Sequence, residues 1–566
     1  MPDARTIADH IGSLVEQAVA AAVAAGELPD IPSPGVAIER PKDAAKGDFA
    51  STLPLRMARS AMRPPLEIAR VIASHVAADP SIRAPVVAAP GFVNFTLSDS
   101  FVQSQVNRTI EAGAAFANLT TNAGKRAQVE FVSANPTGPL HVGNGRGAAI
   151  GDALASVLAA TGYEVEREYY INDAGTQTDA FAGTLYARYQ QLFGRDVPLP
   201  ADGYPGLYMV ELAQALKDEA GDTLLREAGE PSPPELHALG SELMVRQIRA
   251  TLNAFGVRYD HWFSERELYA PEGMYQKAMA ILDERGYLAD REGARWFTSA
   301  DLGESKDNVV VRSDGRPTYY ASDIAYHYAK FFERGFSLVV DVWGADHHGH
   351  VSRLKTAVGA LGGNPEALHI LLYQLVTLKR GSEAMRLSKR GGEIITLDEL
   401  IEEVGADAAR FFYLQRSAGA QMDFDLDLAV RQSSENPVYY VQYAHARLSA
   451  ILERASEQGI DDSAGDVALL TEPHELALIR EMMKLPSVIE ACAAELEVHP
   501  LPHYAMELAT AFHAFNDAFR QRSDSDLKVL TGDLDLTRAR LRLVRAARIS
   551  LARVLDLMGM SAPERM

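Results

Sequence analysis

Residues 128–155 limit most strongly what this chain can fold into. The segment opens with a short apolar run around Val129 and Phe131, whose alternation predicts a β-strand. A loop with two prolines follows, and small residues then recur at helical spacing. These are Gly145, Gly147, Ala148, Gly151 and Ala155. Small residues on one side let a helix lie close against a sheet, so the segment predicts a strand, a tight turn and a helix packed on that strand.

The beginning of the predicted helix has the properties of an anion-binding site. Unpaired backbone N–H groups and the helix dipole both act at a helix N-terminus. His141 and Asn144 stand at this position and add side-chain donors. We interpret the turn as a cradle for the phosphates of a nucleotide, with an ordinary strand–helix turn as the alternative.

A second polar segment lies far along the chain, where Arg386, Ser388 and Lys389 fall in a loop bounded by glycines. Between the two segments, apolar runs at residues 165–171, 308–311, 337–343 and 370–378 predict further strands of the same α/β pattern. Polar residues follow the run at 337–343 directly. Because ligands in open α/β sheets bind beyond the carboxyl ends of the strands, these polar residues are expected in the site.

Composition restricts the class of protein further. At 566 residues the chain is long enough for several domains. A single cysteine, Cys492, excludes a disulfide framework and a cysteine-based zinc site. We see no signal-like or membrane-spanning segment and expect a cytoplasmic protein without a membrane partner. The net charge of −21 argues against a nucleic-acid partner unless basic residues cluster locally.

The two ends of the chain differ in pattern. Residues 1–118 combine helical stripes with an alternating strand at 91–97, which indicates a separate α/β module. From about residue 430 the pattern is helical throughout, and four arginines near the end share one helical face. These are Arg538, Arg542, Arg545 and Arg548. They form either a solvated cationic face or the best candidate for contact with an RNA backbone.

The motifs around His141 and Lys389 resemble the HIGH and KMSKS signatures of class I aminoacyl-tRNA synthetases. The match is closer than the class, because four longer stretches resemble a bacterial arginyl-tRNA synthetase. These are residues 129–144 (VEFVSANPTGPLHVGN), 166–177 (EREYYINDAGTQ), 342–350 (VWGADHHGH) and 436–447 (NPVYYVQYAHAR). The resemblance begins near residue 46 and reaches the C-terminus, so it covers nearly the whole chain.

The resemblance implies an α/β fold class with three domains. Residues 1–118 would form an N-terminal α/β domain that touches the elbow of a tRNA. Residues 119–430 would form a Rossmann-type catalytic domain around a parallel sheet. This domain would carry connective insertions at about 177–300 and the Ser-Lys signature loop at 385–391. Residues 431–566 would form an all-α anticodon-binding bundle.

The same resemblance implies an arginine–tRNA ligase. ATP with Mg²⁺ would activate L-arginine to arginyl-adenylate, and the arginyl group would pass to the 2′-hydroxyl of the terminal adenosine of tRNA(Arg). We expect a monomer without a tightly bound metal. His347, His348 and His350 are poor metal candidates, because no thiolate helps and adjacent residues of an extended chain point to opposite faces.

The resemblance also assigns roles residue by residue. The catalytic residues would be His141, Asn144, Ser388 and Lys389. The residues expected around ATP are Pro136, Thr137, Gly138, His141, Gly143, Asn144, Gly344, Asp346, His347, Arg386, Ser388 and Lys389. Those expected around arginine are Glu130, Ser133, Asn135, Tyr319 and Asp323. Asp323 would take the guanidinium, Glu130 and Asn135 would meet the α-amino end, and Tyr319 would wall the pocket. Without the resemblance, Glu130 would be an edge-strand surface residue and Tyr319 an ordinary packing residue.

The sequence departs from the two signatures at one position each. Asn144 stands where HIGH has its second His, and Arg386 stands where KMSKS has its first Lys. Asn still donates a hydrogen bond, and Arg keeps the charge with a different geometry. Two other functions stay open at this point: a small-molecule adenylyltransferase of the same superfamily and a catalytically silent RNA-binding paralogue.

Overall fold

The computed structural model describes residues 6–173, 176–227, 230–381, 383–384, 395–520 and 529–566. Its N-terminal part contains α1 (Ile7–Ala24), β1 (Ile38–Glu39), β2 (Phe49–Ser51), α2 (Leu53–Ala61), α3 (Pro65–His75), β3 (Val86–Ala88), β4 (Phe92–Phe95) and α4 (Asp99–Ala112). The four strands form an antiparallel sheet in the order β1-β2-β4-β3. Helix α4 leaves this sheet and packs on helices of the C-terminal part.

The N-terminal part follows its sequence pattern closely. The predicted apolar stripe of α1 is buried, and the helix ends at Ala24, followed by its C-cap Ala25 and by Gly26 with its positive φ of 72°. Val93, Phe95 and Leu97 point into the core, as their alternation predicts. The pattern did not predict α2, which begins at Leu53.

The middle of the chain contains β5 (Arg126–Phe131), α5 (Val142–Ala160), β6 (Glu164–Ile171), α6 (Thr176–Gln191), α7 (Tyr208–Ala220), α8 (Pro234–Ala254), β7 (His261–Ser264), α9 (Met274–Glu284), β8 (Leu288–Arg291), β9 (Ala294–Phe297), β10 (Asn308–Val311), α10 (Tyr319–Tyr328), β11 (Leu338–Gly344), α11 (Val351–Ala360), β12 (Leu368–Tyr373), β13 (Val376–Arg380), β14 (Glu383–Ala384), α12 (Leu397–Val404), α13 (Ala406–Leu414), β15 (Met422–Asp425) and α14 (Leu426–Ala429). A five-stranded sheet in the order β12-β11-β5-β6-β7 forms its core, and all four neighbouring pairs are parallel.

This sheet has the strand order of a doubly wound α/β fold. From β5 the chain continues on one side to β6 and β7, and it later returns to β11 and β12 on the other side. The order therefore reverses between β5 and β11. In open α/β sheets the crevice outside the carboxyl ends of the strands at such a point is the usual ligand site.

Helix α5 lies as close to this sheet as its small residues predict. A Cβ added at Gly151 would meet the Phe131 ring of β5 at 2.2 Å, and one at Gly147 would meet Tyr373 of β12 at 2.9 Å. A Cβ at Gly145 would meet Leu397 at 2.7 Å. Each of these glycines therefore permits a contact that any side chain would prevent.

Three expectations about the middle of the chain were wrong. Residues 177–300 are not simply a helical insertion, because they include β7, an outer strand of the central sheet. Strand β10 does not continue the central sheet and pairs antiparallel with β9 in a small sheet with β8. The single strand expected at 370–378 is two strands, because β12 ends at Tyr373 and β13 pairs with β14 and β15 in another sheet.

The C-terminal part is helical, as predicted, in the residues that the structure describes from 431 onward. It contains α15 (Pro437–Glu457), α16 (Pro473–Met482), α17 (Leu485–Glu495), α18 (Pro500–Arg520) and α19 (Leu534–Leu557). Within the described ranges, no helix combines the length and the apolarity that a membrane span requires.

The expected cationic face of α19 is not an open face. Both nitrogens of the Arg545 fork bind Asp462, at 2.7 and 2.6 Å, and Arg542 donates to Asn107 of α4 at 2.9 Å. Arg548 lies 3.6 Å from Glu564, and Arg538 lies 3.7 Å from Asp535. Each of these arginines therefore has a partner within the protein, while its side chain stays partly exposed.

Candidate active site

The crevice between β5 and β11 collects the described site residues. Strand β5 ends at Phe131 and leads into the loop that carries residues 133–138 and then into His141. Strand β11 ends at Gly344, directly beside Tyr373 of β12. Helix α10 brings Tyr319 and Asp323 to the same sheet, so the topology joins segments that lie up to about 200 residues apart in sequence.

His141 is the N-cap of α5 and is held by two local hydrogen bonds. Its ring Nδ1 accepts from the backbone N–H of Gly143 at 3.0 Å, and its own N–H donates to Oδ1 of Asn144 at 3.0 Å. Because Nδ1 accepts, the neutral ring carries its proton on Nε2. Burial by the surrounding protein lowers the pKa of His141, which favours this neutral form.

Asn144 suits this turn for a physical reason. Its carbonyl oxygen completes the capping box with His141, which leaves the amide N–H₂ group for another acceptor. The difference from the second His of HIGH therefore keeps a donor at the helix N-terminus.

Arg386, Ser388 and Lys389 lie outside the described residues, but the chain directly after them contacts the His141 turn. Val142 donates its N–H to the carbonyl of Ile395 at 3.3 Å, and Leu397 donates to the carbonyl of Leu140 at 2.8 Å. Thr396 forms a β-bridge with His141. The segment that leaves the Ser-Lys loop is thus fixed to the residues expected to hold phosphate.

The loop at residues 136–138 is supported from the far side by α7. The hydroxyl of Tyr208 donates to the carbonyl of Thr137 at 2.8 Å, and its ring lies 3.5 Å from the position of a Cβ on Gly138. Pro136 is buried. The stretch at 177–300 therefore contributes directly to the shape of the expected ATP site.

Asp346 and His347 lie in the short helical turn that follows β11. Both side chains are exposed, and Nε2 of His347 lies 3.5 Å from a carboxylate oxygen of Asp346. Gly344 pairs with Tyr373 at the end of the sheet. These three residues therefore occupy the carboxyl edge of β11, where the sequence predicted them.

Asp323 lies one helical turn after Tyr319 on α10, so both residues face the same direction. Tyr319 is 54% exposed and therefore is not an ordinary packing residue. The Asp323 carboxylate has no hydrogen-bond or ion-pair partner in the described part of the chain. Burial raises the pKa of Asp323 to about 6, and Glu130 and Asp341 add to this effect while His327 opposes it.

Glu130 is buried on a central strand and is not an edge-strand surface residue. One carboxylate oxygen accepts from Lys330 at 2.6 Å, and the other accepts from the Ser133 hydroxyl at 2.9 Å. Ser133 lies in a turn of positive φ (40°) and also accepts from the N–H of Tyr170 at 3.1 Å. Burial raises the pKa of Glu130, and Lys330 opposes that effect. The carbonyl of Asn135 accepts from Thr137 at 2.8 Å, which places Asn135 at the start of the same loop.

The structure adds one carboxyl group that the sequence did not predict. Glu265, directly after β7, is 3% exposed and interacts with Ser322 and Tyr170. Burial raises its pKa to about 7, and Asp173 and Asp323 contribute in the same direction. Nothing in the local sequence distinguishes Glu265 from its neighbours, because its position depends on β7 joining the central sheet.

Asp323 and Glu265 together make this part of the crevice an acidic pocket. Two carboxyl groups with raised pKa values lie close enough to interact, and Tyr170 lies beside both. Buried acids of this kind favour a cationic ligand, because a cation restores the stability of their charged forms. A planar guanidinium fits paired carboxylates best.

Known proteins resemble this chain along nearly its whole length. Family models match residues 9–97 (arginyl tRNA synthetase N terminal domain), 106–415 (tRNA synthetases class I (R), catalytic domain) and 441–566 (DALR anticodon binding domain). The chain is 51% identical over 552 residues to an arginine–tRNA ligase of Dehalococcoides mccartyi, with 98% of each chain covered. It is 47% identical over 564 residues to one of Heliobacterium modesticaldum, again with 98% of each covered.

A solved structure shows the same fold. The arginyl-tRNA synthetase of Thermus thermophilus matches with a TM-score of 0.76 and 24% identity, over 99% of this chain and 100% of that one. The α/β class, the parallel catalytic sheet and the helical C-terminal part are thereby confirmed.

Proposed function

Because the chain belongs to the arginyl-tRNA synthetase family and is an arginine–tRNA ligase, we propose that arginine is activated and transferred in the crevice between β5 and β11. One observation supports this location most strongly. Asp323 holds a carboxylate in the crevice that has no hydrogen-bond or ion-pair partner among the described residues, and its pKa is raised to about 6. The guanidinium of arginine would supply such a partner.

In the first step, the arginine carboxylate attacks the α-phosphorus of ATP, and pyrophosphate leaves. His141, through Nε2–H, and Asn144, through its amide, would donate to phosphate oxygens at the N-terminus of α5. Lys389, Ser388 and Arg386 would reach the phosphates from the Ser-Lys loop; their part in the proposal rests on the sequence. Mg²⁺ would enter with ATP, bound to its phosphates.

The remaining residues of the ATP site would hold its nucleoside. A Cβ at Gly344 would meet the Asp346 carboxylate at 2.5 Å, so glycine lets Asp346 lie close against the end of β11. Asp346 and His347 are exposed there and can meet the ribose and the purine. Gly143 lies in the first turn of α5, and the loop of residues 136–138 closes the other side.

Arginine would lie along α10 with its guanidinium at Asp323. Glu265 would offer a second carboxylate, and Tyr319 would cover the aliphatic part of the side chain. Glu130 and Asn135 would meet the α-amino group at the end of β5, with Ser133 fixing the Glu130 carboxylate. A competitor without a guanidinium would leave the half-buried Asp323 carboxylate unpaired, which is costly.

In the second step, the 2′-hydroxyl of the terminal adenosine attacks the carbonyl of arginyl-adenylate, and AMP leaves. No covalent enzyme intermediate is required. The protein contributes by placing the two reactants in contact and by stabilising the charge that develops on the phosphate.

We propose that residues 1–118 contact the tRNA elbow, that 119–430 form the catalytic domain and that 431–566 contact the anticodon. A surface on α15 and α18 supports the last assignment. The rings of Tyr439 and Tyr443 stack at 6.0 Å, and His513 lies nearly parallel to Tyr443 at 6.1 Å. Tyr443 is 38% exposed, and exposed aromatic faces bind unpaired bases by stacking. We also propose a monomer that acts in the cytoplasm, where tRNA is charged for translation.

The test is arginine-dependent exchange of labelled pyrophosphate into ATP, with and without arginine-accepting tRNA. Exchange that requires both arginine and tRNA supports the full proposal. Exchange without tRNA keeps the ligase chemistry but removes tRNA as a requirement of activation. Folded protein that gives no exchange with arginine under either condition would overturn the site assignment and favour a silent RNA-binding paralogue. Exchange with another acid and no charging of tRNA would favour a small-molecule adenylyltransferase.

A further inference from the structure

Three buried carboxylates form a row across the central sheet beneath the proposed arginine site. Asp341 of β11 is directly opposite Glu130 of β5, which is directly opposite Glu168 of β6. Residues in register on adjacent strands share a face of the sheet. All three are buried, with exposed fractions of 0%, 6% and 0%. Like charges in register repel, so such a row requires nearby cations.

Helix α10 and the turn after it supply these cations. Residues Ala329–Glu333 form a π-helical turn, a widened geometry that is frequent at functional sites. Within it, Lys330 is fully buried and donates to Glu130 at 2.6 Å and to Asp341 at 2.8 Å. Arg334, just beyond, donates to Glu168 at 3.0 Å. The helix that carries Asp323 therefore also neutralises the row of carboxylates.

His327 connects α10 to this row through two hydrogen-bond partners. Nδ1 lies 2.8 Å from the backbone carbonyl of Asp323, and Nε2 lies 2.9 Å from a carboxylate oxygen of Asp341. Both partners are acceptors, because the other Asp341 oxygen binds Lys330 and the pKa of Asp341 is about 2 despite its burial. The ring therefore bridges the backbone of α10 and the carboxylate of Asp341 on β11.

We propose that His327 and Lys330 are positioning residues for arginine recognition. They share Asp341 as an anchor: His327 links it to the helical turn that presents Asp323, and Lys330 links it to Glu130. The inference rests on the proposed function, in which Asp323 and Glu130 face the two ends of arginine. Neither His327 nor Lys330 touches the substrate in this arrangement.

Two physical effects follow from this link. Lys330 opposes the rise in the pKa of the buried Glu130 carboxyl, and without it the carboxyl would hold its proton more strongly and attract the α-amino group less. His327 holds α10 at a fixed distance from β11, so its loss would let Asp323 shift relative to Glu130. Both changes would weaken arginine binding, whereas ATP contacts the N-terminus of α5 on another element.

If the row of carboxylates had a purely structural role, a change in it would not act selectively on arginine. Glu168 also has several partners, among them His261 at 2.6 Å and Arg334. With Glu166 and His261 it forms the group of described side chains that most resembles a metal site. Arg334 already neutralises that group, and it lies farther from the crevice along the row. A change at the His327–Asp341–Lys330 end should therefore act on arginine selectively, beyond any loss of stability.

The experiment measures arginylation of tRNA by the full-length enzyme with the variants His327→Gln and Lys330→Met. We expect KM for arginine to rise about 10- to 100-fold in each, with KM for ATP within about twofold of wild type. Lys330→Arg should recover part of the loss, because it keeps the charge. Lys277→Met is the matched control, since Lys277 forms an exposed ion pair with Glu333 of the same π-helical turn and does not reach the row.

The set includes the double variant Lys330→Met/Asp341→Asn in case Lys330→Met alone does not fold. The double variant removes one charge of each sign and so keeps the charge of the row balanced. Asp323→Asn separates the two levels of the argument. If Asp323→Asn leaves KM for arginine unchanged, the proposed arginine site is wrong. The positioning role is wrong, and the site stands, if Asp323→Asn raises KM for arginine but folded His327→Gln and the double variant do not. The same conclusion follows if His327→Gln and the double variant raise the KM values for arginine and ATP equally.

Discussion

The environments of the acidic side chains in and beneath the crevice shift their pKa values in opposite directions. Burial opposes the ionisation of Glu168, but hydrogen bonds from His261 and Arg334 outweigh it and lower its pKa to about 2. At Asp323 and Glu265 burial outweighs the neighbouring groups, and it raises their pKa values to about 6 and about 7. Pairs of acids whose pKa values are driven apart mark a division of roles. The acids with lowered pKa values build the site, and those with raised pKa values are the ones that a cationic ligand would stabilise.

Asp323→Asn should therefore lower the affinity for arginine and raise the stability of the ligand-free protein. We expect KM for arginine to rise about 100-fold or more, because the guanidinium loses a charged partner in a poorly solvated pocket. The folded-state pKa is raised above the usual 3.8, so ionised Asp323 costs stability above pH 6, and the cost disappears below pH 4. At pH 8 the free energy of unfolding of the ligand-free variant should be about 1–3 kcal/mol higher than that of wild type.

The measurement is urea unfolding at pH 8 and pH 4.5 beside arginylation kinetics. Asp314→Asn is the control, since Asp314 is an exposed acid in the turn before α10 whose pKa is lowered by hydrogen bonds from Arg316. It should change neither KM for arginine nor unfolding by a comparable amount. A destabilised Asp323→Asn at pH 8 would show that the carboxylate has a partner in the folded protein.

The pH dependence of arginine affinity should report the same two acids. Both must be ionised to bind a guanidinium, and both pKa values are raised. Arginine affinity should thus be constant above about pH 8 and should fall as pH drops through 7 and 6, by about tenfold per pH unit once one proton must be released. Calorimetry in buffers of different ionisation enthalpy at pH 6.5 would detect that proton release. Binding without proton release at pH 6.5 would contradict the raised pKa values.

The residues of the site differ in how far the sequence reveals them. His141 and Asn144 could be predicted because their chemistry depends on a local strand–turn–helix pattern. Asp323 and Glu130 required the family resemblance, since an acid on a helix or a strand is ordinary by itself. Glu265 and the carboxylate row could not be predicted, because their meaning depends on strand register between segments that lie far apart in sequence.

The same distinction holds for whole elements. Strands β5 and β11 are central and buried; β11 is recognised by its apolar run, and β5 by the alternation around Val129 and Phe131. Strand β7 has four residues, includes His261 and Ser264, and lies at the sheet edge, so no periodicity marks it. The run at 370–378 looks continuous, but the chain changes sheets after Tyr373, and hydrophobicity alone does not record which partner a strand pairs with.

Helix α5 is the element on which the active site depends most, and Gly151 tests its placement. Gly151→Ala would place a methyl group into the Phe131 ring, so α5 or β5 must shift. We expect a loss of about 1–3 kcal/mol in the free energy of unfolding. KM for ATP should also rise, because the helix N-terminus carries His141.

Gly183→Ala in α6 is the matched control for that substitution. A Cβ there meets only Pro200, at an ordinary 3.6 Å, so the better helix propensity of alanine should leave stability unchanged or raise it by up to about 1 kcal/mol. Equal melting temperatures for Gly151→Ala and wild type would show that the close packing of α5 is not required.

At the scale of the whole molecule, charge explains why the arginines on one face of α19 have partners within the protein. A chain with a net charge of −21 offers many carboxylates, and arginines on a packed helix pair with them. Arg545 binds Asp462, and Arg542 reaches Asn107 on α4, which joins the C-terminal helices to the N-terminal part. Arg480 and Asp48 form another contact between these parts at 3.0 Å. Arg542 and Arg480 thus help to join the C-terminal helices to the N-terminal part.

Arg410 of α13 is the buried joint between the catalytic sheet and the C-terminal helices. It is 1% exposed and donates to the carboxylate of Asp152 on α5, to the carbonyl of Phe255 after α8 and to the carbonyl of Met558 at the end of α19. Gly559 leaves no room for a side chain beside the guanidinium. One residue therefore ties the helix that begins at His141 to the last helix of the proposed anticodon domain.

Arg410→Met should loosen this joint while both halves keep their own cores. Asp152 retains Arg167 at 2.9 Å, so we expect a loss of about 3 kcal/mol, toward the lower end for a broken buried ion pair. In calorimetry, the melting transition should broaden or split as the C-terminal helices unfold before the catalytic sheet. KM for tRNA should rise several-fold, with KM for ATP changed by less than about twofold, because only tRNA spans both parts.

Arg565→Ala, which removes an exposed pair with Glu453, should leave the transition and both constants unchanged. A single sharp transition at the wild-type temperature in Arg410→Met would mean that the apolar contact between the two parts holds them together without this charge.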